Sequence, residues 1–195
     1  GSLKFINPLR IGDKVSRTTK IVDQKNKSGS LGEMIFVDLI NDYYVDGLHC
    51  LSEELTLIYL PERLESEEVA EKSIVLRPEC DYAQSVSFSP HQLFRFSAIT
   101  FNSHRIHFDP RHAQKVESYS DQVVHGPIQT SIVLNCWQSN NPGKILKHIK
   151  LRCNGSAMVN ETLHVQGVRH DDGDTLTVYN DRGEELYTAQ VVEAN

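Results

Sequence analysis

Between Phe94 and Asp109 the chain sets Ser97, Thr100, Asn102, Ser103, His104, Arg105 and His107 among phenylalanines and isoleucines. Polar side chains at that density, interleaved with residues that belong in a core, are suited to converging on a pocket. His107 leads the candidates. An imidazole, with an unperturbed pKa of about 6.5, can take a proton from water at neutral pH and return it; the alternative is an imidazole simply satisfied inside the fold. Asn102, five residues earlier, has a carbonyl acceptor and an NH2 donor but no basic lone pair. It can hold a water or form a turn, and it cannot act as the base. His104 or Thr100 is expected to orient Asn102. His104 and His107 could share a helical face as metal ligands, but no third ligand lies at a motif-like spacing, so no metal is expected. Arg105, with Arg95, Arg111 and Lys115, can meet phosphates of a small ligand or make an ordinary surface.

The second group is Val124-His125-Gly126-Pro127. Pro127 suits the first turn of a helix, where its missing N–H would have been unpaired anyway. A glycine at that point leaves its N–H open toward a ligand oxygen, and the helix dipole favours negative charge there; a helix start with no ligand is the alternative. His125 is expected to shape the loop that delivers Gly126.

These residues need elements to hold them. Ile128, Ile132, Val133 and Trp137 recur at helical spacing and stop at Ser-Asn-Asn-Pro-Gly, which predicts one helix over 128–138. Residues 144–153, 162–170, 175–179 and 187–193 read as strands, the last three separated by Asp-Asp-Gly-Asp and Asn-Asp-Arg-Gly turns. The first sixty residues echo this pattern: Phe5 to Val15 opens a strand as Gly155 to Leu163 does, and Val45-Asp46-Gly47 turns the chain as Asp181-Arg182-Gly183 does. Strands are therefore expected over 14–20, 33–44 and 50–59. The organisation expected is a strand module at 1–60 without its helix, a charged and Pro-bounded linker at 61–90, and a complete module at 91–195.

The totals bound the class. A chain of 195 residues with 39% hydrophobic residues can bury a core. No apolar run approaches the about 20 residues needed to span a bilayer, and no signal core follows the N-terminus, so a soluble protein with no membrane partner is expected. Twenty basic against 26 acidic residues give a net charge of -6, which argues against a nucleic-acid partner. Cys50, Cys80, Cys136 and Cys153 form no Cys-x-x-Cys pair, which points to reduced thiols rather than zinc or disulfides.

Phe96-Ser97-Ala98-Ile99-Thr100-Phe101-Asn102-Ser103-His104-Arg105-Ile106-His107 resembles the MaoC-like group that contains hydroxyacyl-thioester dehydratase type 2 and mesaconyl-C4-CoA hydratase, whose pattern reads Phe-Ser-Ala-x-Thr-x-Asn-x-His-x-Ile-His. The wider R-specific enoyl-thioester hydratases carry Asp where Asn102 stands, five before the His. The resemblance implies an α+β hotdog fold, a curved antiparallel sheet around a central helix, in a double-hotdog arrangement whose N-terminal module is incomplete, so that the natural protein is expected to extend upstream. It implies a reversible hydratase or dehydratase of 2-enoyl and 3-hydroxyacyl thioesters of coenzyme A or acyl carrier protein, with C5 dicarboxyl substrates such as mesaconyl-, methylfumaryl- or itaconyl-CoA within range. His107 would move the proton, Asn102 would hold the water and the Gly126 amide would polarise the thioester carbonyl, with Thr100, His104, Arg105 and His125 in support. No resident cofactor is expected, since coenzyme A or phosphopantetheine arrives with the substrate. A homodimer is expected, in the cytoplasm, or in the mitochondrial matrix if a targeting segment precedes Gly1. A hotdog thioesterase, which would need Asp109 or Glu117 as base, and a non-catalytic acyl-thioester-binding protein are the alternatives.

Overall fold

The computed structural model describes residues 1–29, 32–59 and 78–193. The chain divides into two compact units, both discontinuous in sequence: Gly1–Glu62 with Lys144–Leu151 and Gln190–Asn195, and Arg63–Gly143 with Arg152–Ala189. No described helix is long and apolar enough to cross a membrane.

The first unit is antiparallel β-structure. β1 (Ser2–Phe5) lies between β4 (Leu48–Tyr59) and β6 (Leu146–Cys153), and β3 (Gly32–Val45) lies between β4 and β2 (Val15–Gly29). β3 turns into β4 at Asp46 and Gly47, whose φ of 48° and 81° give the paired left-handed residues that a tight hairpin needs. The run from Phe5 to Val15, read as opening a strand, is mostly loop, and the strand expected over 14–20 begins at Val15 as part of β2. β1 ends at Phe5, and residues 6–14 make a loop in which Pro8 has no N–H to offer a ladder and the Arg10 N–H is taken by the Asp13 carboxylate at 2.7 Å. Among the described residues this unit has no helix, as expected for its strand module.

The second unit has the helix. α3 (Gly126–Asn140) buries Ile128, Ile132, Val133 and Trp137, the stripe the periodicity marks, together with Cys136, and packs on β5 (Tyr82–Ser87), β7 (Thr162–His170) and β8 (Gly173–Tyr179). The helix stops where Asn141 turns its side-chain N–H back to the Trp137 carbonyl at 3.0 Å and Gly143 takes φ 82°. β9 (Glu185–Glu193) lies next to β8, and β5 closes the row beyond β7. Of the stretch read as a linker, residues 61–77 lie outside the described residues and Tyr82–Ser87 is strand, paired in register with β7. Tyr82 faces Gly167 across that ladder, and its ring occupies the space a Cβ at 167 would need. The Tyr82 hydroxyl donates to Asp174 Oδ2 at 2.6 Å, and the Asn141 amide donates to the same oxygen at 3.0 Å.

A second helix, α1 (Pro90–Thr100), starts at Ser89, whose backbone N–H and hydroxyl both donate to Gln92 Oε1. Its buried residues are Leu93 and Ser97, one turn apart. The turn that follows carries Asn102 and a short 3₁₀ segment at Arg105–His107, and α2 (Pro110–Lys115) begins at the Asp109-Pro110 step, capped by Asp109 Oδ1 accepting from the His112 N–H at 3.1 Å.

Candidate active site

His107 is 7% exposed, beside a small core of Ile106, Ala113 and Val123 that fixes the 3₁₀ segment. Its backbone is tied to the strand-like run 122–124: the Val123 N–H donates to the Ile106 carbonyl at 2.9 Å, and the Gln122 side chain donates to the His107 carbonyl at 3.3 Å. The same run is stitched to residues 157–159 by Val124 N–H to Ala157 O and Val159 N–H to Gln122 O. Nδ1 of His107 lies 2.7 Å from the Val123 carbonyl. A carbonyl can only accept, so Nδ1 carries the hydrogen and Nε2 carries the basic lone pair. Burial holds the imidazole below its ordinary pKa; the Val123 bond pulls the other way, and His104 adds to the depression. At neutral pH His107 is a neutral base with its basic nitrogen assigned by the main chain.

His125 is wholly buried, and its ring lies parallel to that of His107, 3.7 Å between centroids and 17° between planes. The His104 ring meets His107 edge-on at 5.7 Å. Nε2 of His125 is 2.8 Å from the Ser97 hydroxyl, and burial, then the neighbouring His107, pushes its pKa down to about 4. Gly126 follows at the first position of α3, exposed, with no atom within 4 Å of where a side chain would begin. A helix leaves its first N–H groups outside its own ladder, and Pro127 has none, so the Gly126 amide stands at the positive end of the helix.

Asn102 is half-buried, and its Oδ1 accepts from the His104 N–H at 3.0 Å. The backbone donor fixes which end of the carboxamide is oxygen. Asn102 forms the turn and has a donor left over. Before it, Phe101 sits in the left-handed region at φ 53° while 94% exposed, an unusual conformation for a bulky residue.

The other expected residues have partners of their own. Thr100 spends its hydroxyl on the Phe96 carbonyl of its own helix at 2.6 Å, and Arg105 is tied to Asp109 by two bonds of 2.6 and 3.2 Å. That guanidinium holds the Asp109 carboxyl below the usual range. The His104 ring reaches toward Glu117 at 3.8 Å, which His112 also approaches at 3.6 Å. Gln122 and the Val123 carbonyl are the participants the sequence reading leaves out of the site, and Ser97, named there only as one of the polar cluster, has its partner in His125.

The model of the family hydroxyacyl-thioester dehydratase type 2 matches residues 1–159. The chain belongs to that family. It is 37% identical over 134 residues to the mesaconyl-C(4)-CoA hydratase of Chloroflexus aurantiacus, covering 68% of this chain and 47% of that protein. It is 31% identical over 125 residues to the mitochondrial hydroxyacyl-thioester dehydratase type 2 of Schizosaccharomyces pombe, covering 60% and 38%. The chain thus spans half or less of the length of these curated relatives. In fold it is similar to a MaoC-like dehydratase from Phytophthora capsici, with a TM-score of 0.77 at 14% identity over 100% of this chain and 67% of that one. Within the dehydratase type 2 family the expected hotdog class stands: α3 is the central helix, and β5, β7 and β8 are the strands it packs on.

Proposed function

We propose that this dehydratase type 2 homologue catalyses reversible hydration of 2-enoyl thioesters to 3-hydroxyacyl thioesters. The observation that supports this most directly is the bond from His107 Nδ1 to Val123 O, which leaves Nε2 of this largely buried, neutral ring as the base. In the hydration direction Nε2 takes a proton from water as the hydroxyl adds to the β-carbon. The electron pair of the double bond moves onto the thioester oxygen, where the Gly126 N–H and the dipole of α3 stabilise the charge. The imidazolium then returns its proton to the α-carbon, and the net change is addition of one water. The Asn102 NH2 is the donor proposed to hold the water.

No resident cofactor enters this scheme; coenzyme A or a carrier-protein phosphopantetheine is part of the substrate, and C5 dicarboxyl thioesters are included because a curated relative is named for mesaconyl-C(4)-CoA. A thioesterase is disfavoured: Asp109 caps α2 and pairs with Arg105, and Glu117 is engaged by two imidazoles, so neither expected carboxylate base is uncommitted. The working unit proposed is a homodimer, which would give Phe94, Ile99 and Phe101, all more than 60% exposed, a surface to cover; a monomer by light scattering at micromolar concentration would refute it.

The test is a panel of crotonyl-, mesaconyl-, itaconyl- and longer enoyl-CoA esters, followed by loss of the conjugated-thioester absorbance. His107→Ala should cut turnover by about 10² to 10⁴-fold in a folded protein. Near-full activity of that variant, or release of free thiol in place of hydration, would remove the assignment.

A further inference from the structure

The Val123 bond fixes which nitrogen of His107 is basic, but one hydrogen bond leaves the ring free to swing about its axis. What opposes that swing is a flat surface against the ring's face, and the His125 ring supplies one at 3.7 Å. His125 is in turn held from three sides. It precedes α3, so its backbone carbonyl accepts the helix's early N–H groups, from Ile128 at 3.1 Å and Gln129 at 3.3 Å. Its Nε2 meets the Ser97 hydroxyl, itself 5% exposed on α1, at 2.8 Å. The Phe96 ring stands edge-on to it at 4.8 Å. Nδ1 of His125 is buried without a partner. A buried N–H with no acceptor costs more than an idle lone pair, so the one hydrogen of the neutral ring sits on Nε2 and points at Ser97. Protonating His125 would bury an unpaired N–H against His107 at the moment His107 itself becomes cationic, which like-charge repulsion opposes. Its flat, uncharged face suits a ring that must carry a transient positive charge.

We propose that His125, locked by Ser97, is a positioning residue for the reaction: it is the plate that sets the plane of His107 and so aims Nε2. This rests on His107 being the base of the proposed hydration. The plate touches neither water nor thioester, so its loss should lower kcat and leave KM alone.

The experiment compares His125→Leu, His125→Phe and Ser97→Ala with the unaltered chain, reading kcat and KM for hydration and, independently of turnover, exchange of the His107 Nδ1 hydrogen by ¹⁵N-edited NMR. His125→Leu should lose about 10- to 100-fold in kcat with KM within about twofold, because small misplacements of a catalytic group cost that much. His125→Phe restores a flat ring and should lose only about threefold, and Ser97→Ala should fall between the two. The Nδ1 hydrogen should exchange about tenfold faster in the Leu variant than in the Phe variant. Unchanged kcat in His125→Leu, a raised KM with kcat kept, or a Phe variant as impaired as Leu would each overturn the proposal. If His125→Leu does not fold, Ser97→Ala decides: full kcat with unaltered exchange overturns it. If the unaltered chain hydrates no ester of the panel, the proposed function fails, and the exchange series alone still decides whether His125 positions His107.

Discussion

Alternate residues are buried in β7 from Leu163 to Gly167 and in β8 from Asp174 to Val178, whereas in β2 fourteen of fifteen residues are exposed and Asp23 is half-buried. Both are antiparallel strands with β-branched residues in them, and the difference is what lies against them. α3 covers one face of β7 and β8, so Leu163, Val165, Leu176 and Val178 reach zero exposure. In the helix-free unit Ile21 and Val22 stay more than half exposed, at the point where the register of β2 and β3 slips between Ile21 and Asp23. A strand pairing pattern alone does not bury side chains; the layer on its face does. The candidate site follows the same division, since every residue in it belongs to the unit that has the helix.

This contrast can be broken or sharpened experimentally. The largest effect is expected from Leu163→Ala, which deletes a fully buried side chain facing α3: a loss of about 2 to 5 kcal/mol in chemical denaturation. A loss under about 0.5 kcal/mol would mean that the face of β7 is not packed as described.

Acid should also act through the buried side. His125 has a folded-state pKa of about 4 against 6.5 for the free side chain. Above 6.5 the ring is neutral whether folded or unfolded; as the pH falls below that, the unfolded chain takes up a proton that the folded chain refuses, so stability drops until the folded ring titrates. A loss on the order of 3 kcal/mol between pH 6.5 and 4 is expected from this residue. His107, also depressed by burial, adds in the same direction. His125→Phe should flatten the acid limb of a melting-temperature profile, and an unaltered limb would show that the ring is already protonated or accessible in the folded chain.

Asn102 separates turn from chemistry. Asn102→Asp keeps the acceptor for the His104 N–H and should fold normally with activity within about tenfold, while Asn102→Leu loses both turn and donor and should fall by more, with about 1 kcal/mol of stability. Equal activity in the two would leave Asn102 no part in the reaction. At the small end, Ile21→Ala on the exposed strand should change stability by no more than about 0.5 kcal/mol.

Much of the helix-backed unit is legible in the sequence because its signals are local: the stripe from Ile128 to Trp137, the turns at Asp171-Asp172 and Asp181-Arg182-Gly183, the spacing of Asn102 and His107. α1 is not, because it exposes Phe94 and Ile99 and buries Ser97, which reverses the pattern a reader looks for. β5 hides for a related reason: Tyr82 alone among its residues is buried, and its place depends on a glycine 85 positions away that leaves room for the ring. His107 is found from its spacing; the assignment of its basic nitrogen comes from a main-chain carbonyl, which has no letter in the sequence. The pairing of Ser97 with His125 needs two helices to be placed first.

That the acceptor for His107 is the carbonyl of Val123 has a consequence for how the chain can change. Every amino acid supplies a carbonyl, so no substitution at 123 deletes the acceptor, and the site is insured there against point mutation so long as the side chain still fits its small core. It is exposed instead to changes in chain length. An insertion or deletion between 107 and 123 would move the carbonyl off the ring, so in a library of variants that stretch should accept replacements and reject gaps.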